Sequence, residues 1–255
     1  MNTLTPVMRQ GAWFQTSQRH RPTRGLRRLL MACAGSIVAL TMSVQAHAAD
    51  ADAMVKAVKF DDAANVAKLL KRGMDPNMTD EGGTPLIVLA AREKSDKVAK
   101  LLVDNPNTDI EKVDSHDENA MMLAALNGDT NLVKLLIGKG AEVNKKGWAP
   151  LHYAAANGHD DIVQLLVDHS AYIDAASPNG TTPLMMAARG NHITTMKVLL
   201  DAGADPRVKN QIGMTALDFA KHYQAKDATK GLEAMFAREQ AASGAGPASA
   251  QNSAK

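Results

Sequence analysis

Histidine and methionine recur along this 255-residue chain, and both side chains could bind a soft metal ion. Two adjacent methionine pairs, Met121-Met122 and Met185-Met186, offer thioether sulfurs, which favour Cu(I). Six histidines follow residue 48, namely His116, His152, His159, His169, His192 and His222. No pair has the His-x-x-x-His spacing of a helical zinc site. A His/Met metal carrier is one hypothesis. The other hypothesis is that the methionines pack in a hydrophobic core. We predict the second, and therefore no metal site and no cofactor.

Paired carboxylates could serve as catalytic acids and bases, and they occur at Asp61-Asp62, Asp117-Glu118 and Asp160-Asp161. Each pair is adjacent in sequence, so its members do not face one another across a substrate. The sequence contains no glycine-rich phosphate loop and no Gly-x-Ser-x-Gly nucleophile turn. We therefore predict no catalytic residue and a protein that is not an enzyme.

The elements that carry these residues repeat along the chain. A block that begins with proline or alanine, followed by apolar residues, recurs at Pro85, Ala120, Pro150, Pro183 and Ala216. The last two intervals are each 33 residues, and the earlier ones are 35 and 30. A period of this length predicts a stacked solenoid and not one globular core.

Each block predicts two short helices. Pro150 suits the first turn of a helix, where its missing N–H is not needed. Gly158 suits the end of that helix, and a second helix follows with an apolar stripe at Ile162, Val163, Leu165 and Leu166. Helices of eight to ten residues are too short to be stable alone, so each repeat needs a neighbour on both sides.

These blocks resemble the ankyrin repeat, most clearly over residues 147–166 and 180–188, where Pro150-Leu151-His152, Gly158-His159 and Thr182-Pro183-Leu184 match the family pattern. The resemblance implies an all-α solenoid of paired short antiparallel helices joined by β-hairpin or loop fingers. It covers residues 49–236 as six repeats, with the first and last as caps. Their ranges are 51–79, 80–114, 115–146, 147–179, 180–212 and 213–236.

The resemblance also implies a use for the surface. His152, His159 and His192 fall at positions that the family uses for hydrogen bonds within and between repeats. Finger tips and the outward side of each first helix line a concave groove for a protein partner. Carried over position by position, this predicts protein contacts at His116, Asp117, Glu118, Asn127, Lys145, Lys146, Trp148, Tyr153, Asn157, Met186, Arg189, Met214 and Tyr223.

Trp148 and Tyr153 carry the most weight among these residues, because tryptophan and tyrosine most often dominate binding energy. The alternative is that Trp148 packs on the next finger. The finger before Trp148 is about three residues short, which predicts a notch or a bend there.

The amino-terminal segment has the pattern of an export signal. Residues 1–48 hold six arginines and no acidic residue, followed by an apolar run and the site Ala46-His47-Ala48. We predict a signal peptide over 1–48 with cleavage after Ala48, and a periplasmic protein. A twin-arginine signal at Arg27-Arg28 is the alternative export route, and an organelle transit peptide fits less well because the run is not amphipathic.

Removal of that segment changes the charge and the cysteine content. Lys+Arg falls from 29 to 23 while Asp+Glu stays at 27, which leaves a net charge of −4. We therefore predict no nucleic-acid partner. The sequence also predicts no membrane span after removal, and no disulfide because Cys33 is lost. The segment 237–255 lacks large apolar residues, and we expect a disordered tail.

These observations favour a monomeric, non-catalytic periplasmic module that binds a folded protein in its concave groove. One form of this hypothesis is an accessory protein to an exported enzyme in stress defence. Another is an immunity-type inhibitor of a toxin or enzyme, which predicts a strongly acidic groove. A metal-binding carrier that uses the histidines and methionines is the remaining alternative.

Overall fold

The computed structural model describes residues 49–244, and within them the chain is a stack of short helices. The helix α1 covers residues 49–59 of that part. The bounds of the others are α2 Ala63–Lys71, α3 Leu86–Arg92, α4 Asp96–Asp104, α5 Ala120–Asn127, α6 Thr130–Gly138, α7 Pro150–Asn157, α8 Asp160–Asp168, α9 Pro183–Arg189, α10 Ile193–Asp201, α11 Ala216–His222 and α12 Lys226–Gly244. The predicted signal peptide, its cleavage site and Cys33 lie outside the described residues.

The helices form two rows. The first helices of successive repeats pack on one another, as α3 on α5, α5 on α7, α7 on α9 and α9 on α11. The second helices form the other row, from α2 and α4 to α10 and α12. Alanines such as Ala124, Ala154 and Ala187 are fully buried between first helices, where their small size allows close approach. The core is therefore continuous along the stack, and the all-α solenoid is confirmed.

The helix ends use the predicted signals. Pro150 and Pro183 are the first residues of α7 and α9. The Thr182 hydroxyl caps α9 by accepting from the N–H of Met185. Gly158 ends α7 in the left-handed region, at φ 73°. One detail of the predicted register is wrong, because Leu165 is only partly buried while Leu166 is fully buried and fills the core beside Ile162.

Four of the fingers are tight five-residue loops, which begin at Asp80, Asp114, Ser177 and Asn210. In each, the first N–H donates to the fifth carbonyl at 2.9–3.0 Å. The first side chain also accepts from backbone N–H groups inside the loop. Isolated bridges flank two of the loops, and the described residues contain no longer strand. The fingers are thus hydrogen-bonded turns.

The finger before Trp148 differs from the other four. Residues 143–148 contain no such five-residue loop, in keeping with the shorter interval between Ala120 and Pro150. The predicted shortening of this finger is therefore present, and a cleft opens beside Trp148.

The carboxyl-terminal helix corrects one expectation. Residues 237–244, which we expected to be disordered, form the end of α12. Residues 237–242 read Ala-Arg-Glu-Gln-Ala-Ala, and all of these residue types favour helix even without a large apolar face. Arg207 also anchors it, through an ion pair with Glu239 and a position 5.4 Å from the ring of Phe236. Residues 245–255 lie outside the described part.

Candidate protein-binding surface

A cleft of about 470 Å³ opens beside the shortened finger, among α5, α7 and α9. Five of the predicted contact residues line it, namely Trp148, Tyr153, Asn157, Met186 and Arg189. Leu126, His152, Ala156 and Gly190 complete its wall. The structure thus brings together predicted residues from the fourth and fifth repeats, on α7, α9 and the shortened finger.

Two aromatic rings form the floor of the cleft. The Trp148 ring meets His152 edge-on at 5.2 Å between centroids, and Tyr153 edge-on at 6.4 Å. Trp148 and Tyr153 are both half-buried, so part of each ring faces solvent. Edge-to-face contacts of this kind hold aromatic rings in one orientation. The floor is therefore ordered before a partner arrives, which lowers the entropy cost of binding.

The finger Asp114–Glu118 provides an acidic wall beside the floor. The Tyr153 hydroxyl donates to Glu118 Oε1 at 2.8 Å. Burial and this carboxylate raise the pKa of Tyr153, because both disfavour the phenolate. Arg92 pairs with Asp114 and lies 3.7 Å from Glu118 Oε2. These contacts fix Tyr153 and neutralise much of the acidic charge.

Asp114 is the centre of that wall, and its side chain is 1% exposed. Burial alone would raise the pKa of its carboxyl. The backbone N–H groups of Glu118 and His116 and the Arg92 guanidinium outweigh burial, so that the pKa lies below its usual range. Asp114 is therefore a charged structural anchor of the finger.

Arg189 is the positively charged residue that lines the cleft, and two lysines lie on the shortened finger next to Trp148. The Arg189 guanidinium lies over the Tyr223 ring at 4.9 Å from its centroid, in a cation–π contact. Lys145 of the shortened finger pairs with Asp117, and Lys146 beside it is exposed. Of the predicted residues, Tyr223 thus positions Arg189, and Lys145 is paired with Asp117 of the preceding finger.

Two predicted contact residues have other positions. Asn127 donates its side-chain amide to the Ala91 carbonyl at 2.9 Å, which links two repeats. Met214 is half-buried and packs against the core near the last finger. Neither residue lines the cleft, and the same holds for His116, Asp117, Glu118, Lys145, Lys146 and Tyr223. Asn157 lines the cleft and also links two repeats, because its side-chain amide donates to the Leu126 carbonyl at 2.7 Å.

Histidines also link neighbouring repeats. We call the set of linking residues Asn127, His152, Asn157, His159 and His192 the seam. His159 Nε2 donates to the Leu126 carbonyl and His192 Nε2 to the Ala156 carbonyl, both at 3.1 Å. His152 Nδ1 accepts from the Ala149 N–H, so its Nε2 carries the proton that faces the carbonyls of Ala175 and Thr181. The structural role predicted for His152, His159 and His192 is confirmed.

A further cluster of possible metal ligands is formed by Asp114, His116 and Glu118, which the sequence did not single out as a site. Arg92 already occupies the Asp114 carboxylate, and its positive charge opposes a cation there. Ser115 and the Asp114 carboxylate both approach His116 at the same atom, Nδ1, at 3.4 and 3.7 Å. That geometry offers no proton relay, because a relay needs both ring nitrogens.

The remaining residues considered for chemistry have structural partners. Met121, Met122 and Met185 are buried in the core, which leaves Met186 alone at the cleft. Asp62 caps α2. Asp160 and Asp161 accept hydrogen bonds from Thr195 and Thr130 of neighbouring repeats. These carboxylates hold turns and adjacent repeats together.

Comparison with known proteins agrees with this architecture. A family model described as Ankyrin repeats (3 copies) matches residues 87–176, and one described as Ankyrin repeats (many copies) matches residues 166–220. Together they run from 87 to 220, which is more than half of the chain. The chain belongs to the ankyrin repeat family. Ankyrin repeats are protein-interaction modules, so a protein-binding role for this stack follows from the family.

Relatives match over the same repeats. The Nuclear factor NF-kappa-B p105 subunit of Gallus gallus is 33% identical over 152 residues, which is 57% of this chain and 16% of that protein. The B-cell lymphoma 3 protein homolog of Mus musculus is 29% identical over 173 residues, 65% of this chain and 39% of that protein. SH3 and multiple ankyrin repeat domains protein 2 of Homo sapiens is 31% identical over 164 residues, which is 62% of this chain and 9% of that protein. The ankyrin repeat chain thus spans well under half of each.

No helix within residues 49–244 combines the length and the apolar character that a membrane crossing requires.

Proposed function

We propose that this ankyrin repeat protein is an exported, non-catalytic module that captures a folded protein partner in the cleft around Trp148 and Tyr153. One observation carries the proposal. Beside the shortened finger, two aromatic rings in fixed mutual contact line a cleft and are each only partly buried. Ordered aromatic residues in a central pocket are the usual hot spots of protein interfaces.

The cellular setting is proposed from the sequence. The arginine-rich start, the apolar run and Ala46-His47-Ala48 favour export to a periplasm, and a chain without cysteine after residue 48 can fold there without forming disulfides. In that compartment we propose an accessory protein to an exported enzyme, in stress defence. Fractionation of the source cells with amino-terminal sequencing tests this. A protein that starts at Ala49 in the periplasm is expected, and an uncleaved cytoplasmic protein would contradict export.

The charge pattern favours an accessory protein over an immunity-type inhibitor. An inhibitor of that kind would need a strongly acidic groove. Here Asp114, Asp117 and Glu118 are bound by Arg92, Lys145 and the Tyr153 hydroxyl. Little unpaired negative charge remains at the cleft for a basic partner.

Affinity capture from the source cells tests the binding role when it is paired with cleft variants. The tagged full chain is compared with Tyr153→Ala and with Tyr172→Ala, a matched control whose side chain is 69% exposed outside the cleft. We expect one protein, identified by mass spectrometry, to be retained by the parent and by Tyr172→Ala and lost from Tyr153→Ala. Equal retention by all three proteins would remove the cleft from the proposed function.

A further inference from the structure

The cleft carries positive charge that has no counterpart in the protein. The acidic groups at its edge are each engaged, as Asp114 and Glu118 with Arg92, and Asp117 with Lys145. Within the described residues, Arg189 has no carboxylate or carbonyl partner, and Lys146 has none either. The sign of the unpaired charge therefore favours an anionic group on the occupant.

Arg189 is also held in position. Other arginines, such as Arg72, Arg92 and Arg207, pair with carboxylates of their own chain. Arg189 instead stacks on Tyr223, at 4.9 Å from the ring centroid. A stacked guanidinium keeps its N–H donors in its own plane, where they can bind a carboxylate with two parallel hydrogen bonds.

Apart from Asn157 and the buried His152, the rest of the cleft is apolar. Leu126, Ala156 and Met186 form its walls, and Trp148 and Tyr153 form its floor. The volume of about 470 Å³ is within the range of sites that hold a ligand or a large side chain. Methionine in such a wall adapts to the shape of an inserted group.

We infer that the cleft binds an acidic protein segment, in which a large apolar side chain enters between Trp148 and Met186 and an adjacent carboxylate pairs with Arg189. This inference rests on the proposed function and names the chemistry of the partner. Lys146 is exposed on the shortened finger, two residues before Trp148. A basic segment would meet Arg189 with like charge, and the engaged carboxylates offer it little compensation.

Tryptophan fluorescence of the full chain tests the inference. The chain has two tryptophans, and Trp13→Phe leaves Trp148 as the only one. The probes are two blocked peptides, Gly-Asp-Leu-Phe-Asp-Gly and its counterpart Gly-Lys-Leu-Phe-Lys-Gly. Arg189→Gln removes the proposed carboxylate contact, and Arg207→Gln is the matched control, because Arg207 pairs with Glu239 outside the cleft.

We expect the acidic peptide to change the Trp148 emission and to bind at least about tenfold more tightly than the lysine peptide, which is about 1.4 kcal/mol. Arg189→Gln should abolish that preference, Arg207→Gln should keep it, and added salt should weaken it. Equal or tighter binding of the lysine peptide would overturn the inference. So would an unchanged preference in Arg189→Gln, or no emission change with the acidic peptide at about 1 mM.

The two proposals fail in different ways. If the partner depends on Tyr153 but binds Arg189→Gln as it binds the parent, the docking function stands and the acidic segment is wrong. If the acidic peptide shows its preference while no cellular protein depends on Tyr153, the chemistry of the cleft stands and the proposed function fails.

Discussion

His152 and Tyr153 are neighbours on α7, yet they belong to two regions with opposite properties. In the seam, His152 is fully buried and each ring nitrogen has a backbone partner. In the cleft, Tyr153 is half-buried and its ring faces solvent beside Trp148. The seam has satisfied its polar groups within the chain, while the cleft leaves aromatic surface and the Arg189 charge available. Stability should therefore depend on the first region, and binding on the second.

The largest expected effect comes from the core beneath the seam. Leu151 is 1% exposed, so Leu151→Ala removes buried methyl groups and leaves a cavity. We expect the free energy of unfolding to fall by about 2–5 kcal/mol, as measured by urea denaturation. A change below about 0.5 kcal/mol, which is typical of a surface position, would contradict the packing of α7.

The seam itself is tested by glycine variants. Gly158 has φ 73°, and a Cβ there would lie 2.5 Å from Nδ1 of His192. Gly203 has φ 98° with no atom within 4 Å of the same position. Both alanine variants suffer backbone strain of about 1 kcal/mol, and the clash should make Gly158→Ala the more costly by roughly another 1–2 kcal/mol. Equal losses in urea denaturation would show that His192 does not hold the seam.

The buried histidine also predicts a pH dependence. Burial lowers the pKa of His152, outweighing the bonds to Thr181, Ala175 and Ala149, so it stays neutral when the unfolded chain takes up a proton. The unfolded state then binds more protons below about pH 6.5, and stability falls as the pH falls. We expect His152 to contribute up to about 1.4 kcal/mol per pH unit to that slope.

Denaturation between pH 7.5 and 5 measures the effect in the parent and in His152→Gln. The slope should be shallower in His152→Gln, whereas Leu151→Ala, a destabilised control that keeps the histidine, should retain the slope of the parent. If the free energy of unfolding of His152→Gln depended on pH as steeply as that of the parent, this histidine would be protonated in the folded protein.

The smallest effect concerns a turn between paired helices. Lys94 has φ 55°, a left-handed conformation that glycine occupies at Gly128 and Gly158. Lys94→Gly removes the strain but gives the unfolded chain more freedom, so we expect a net gain of about 0.5 kcal/mol. Thermal unfolding measures it. A loss of stability would indicate that the lysine side chain contributes more than its backbone strain costs.

Local features of the fold were predictable from the sequence. The helix pairs were predicted from Pro150, Gly158 and the apolar stripes. The stacking of the pairs was predicted from the spacing of the blocks. The histidines of the seam followed from the resemblance to the ankyrin repeat, in which these positions form hydrogen bonds within and between repeats. The end of α12 was not predicted, since its composition suggested disorder while helix propensity and the Arg207–Glu239 pair extend it.

The cleft was predicted only in part. Trp148, Tyr153, Met186 and Arg189 were expected on the concave side, and the short finger indicated the notch. The pairing of Arg92 with Asp114 was missed, because it depends on how the loop 114–118 turns back towards the end of α3. The free charge of Arg189 likewise depends on which carboxylates are already engaged, and sequence spacing does not reveal this.

The central claim is that the cleft at the shortened finger is the binding surface. Calorimetric titration of the purified partner into Tyr153→Ala and into Tyr172→Ala tests it most directly. We predict that Tyr153→Ala weakens the affinity by at least about tenfold, or about 1.4 kcal/mol, while Tyr172→Ala binds within about twofold of the parent. Equal affinity of the two variants for the partner would contradict the account.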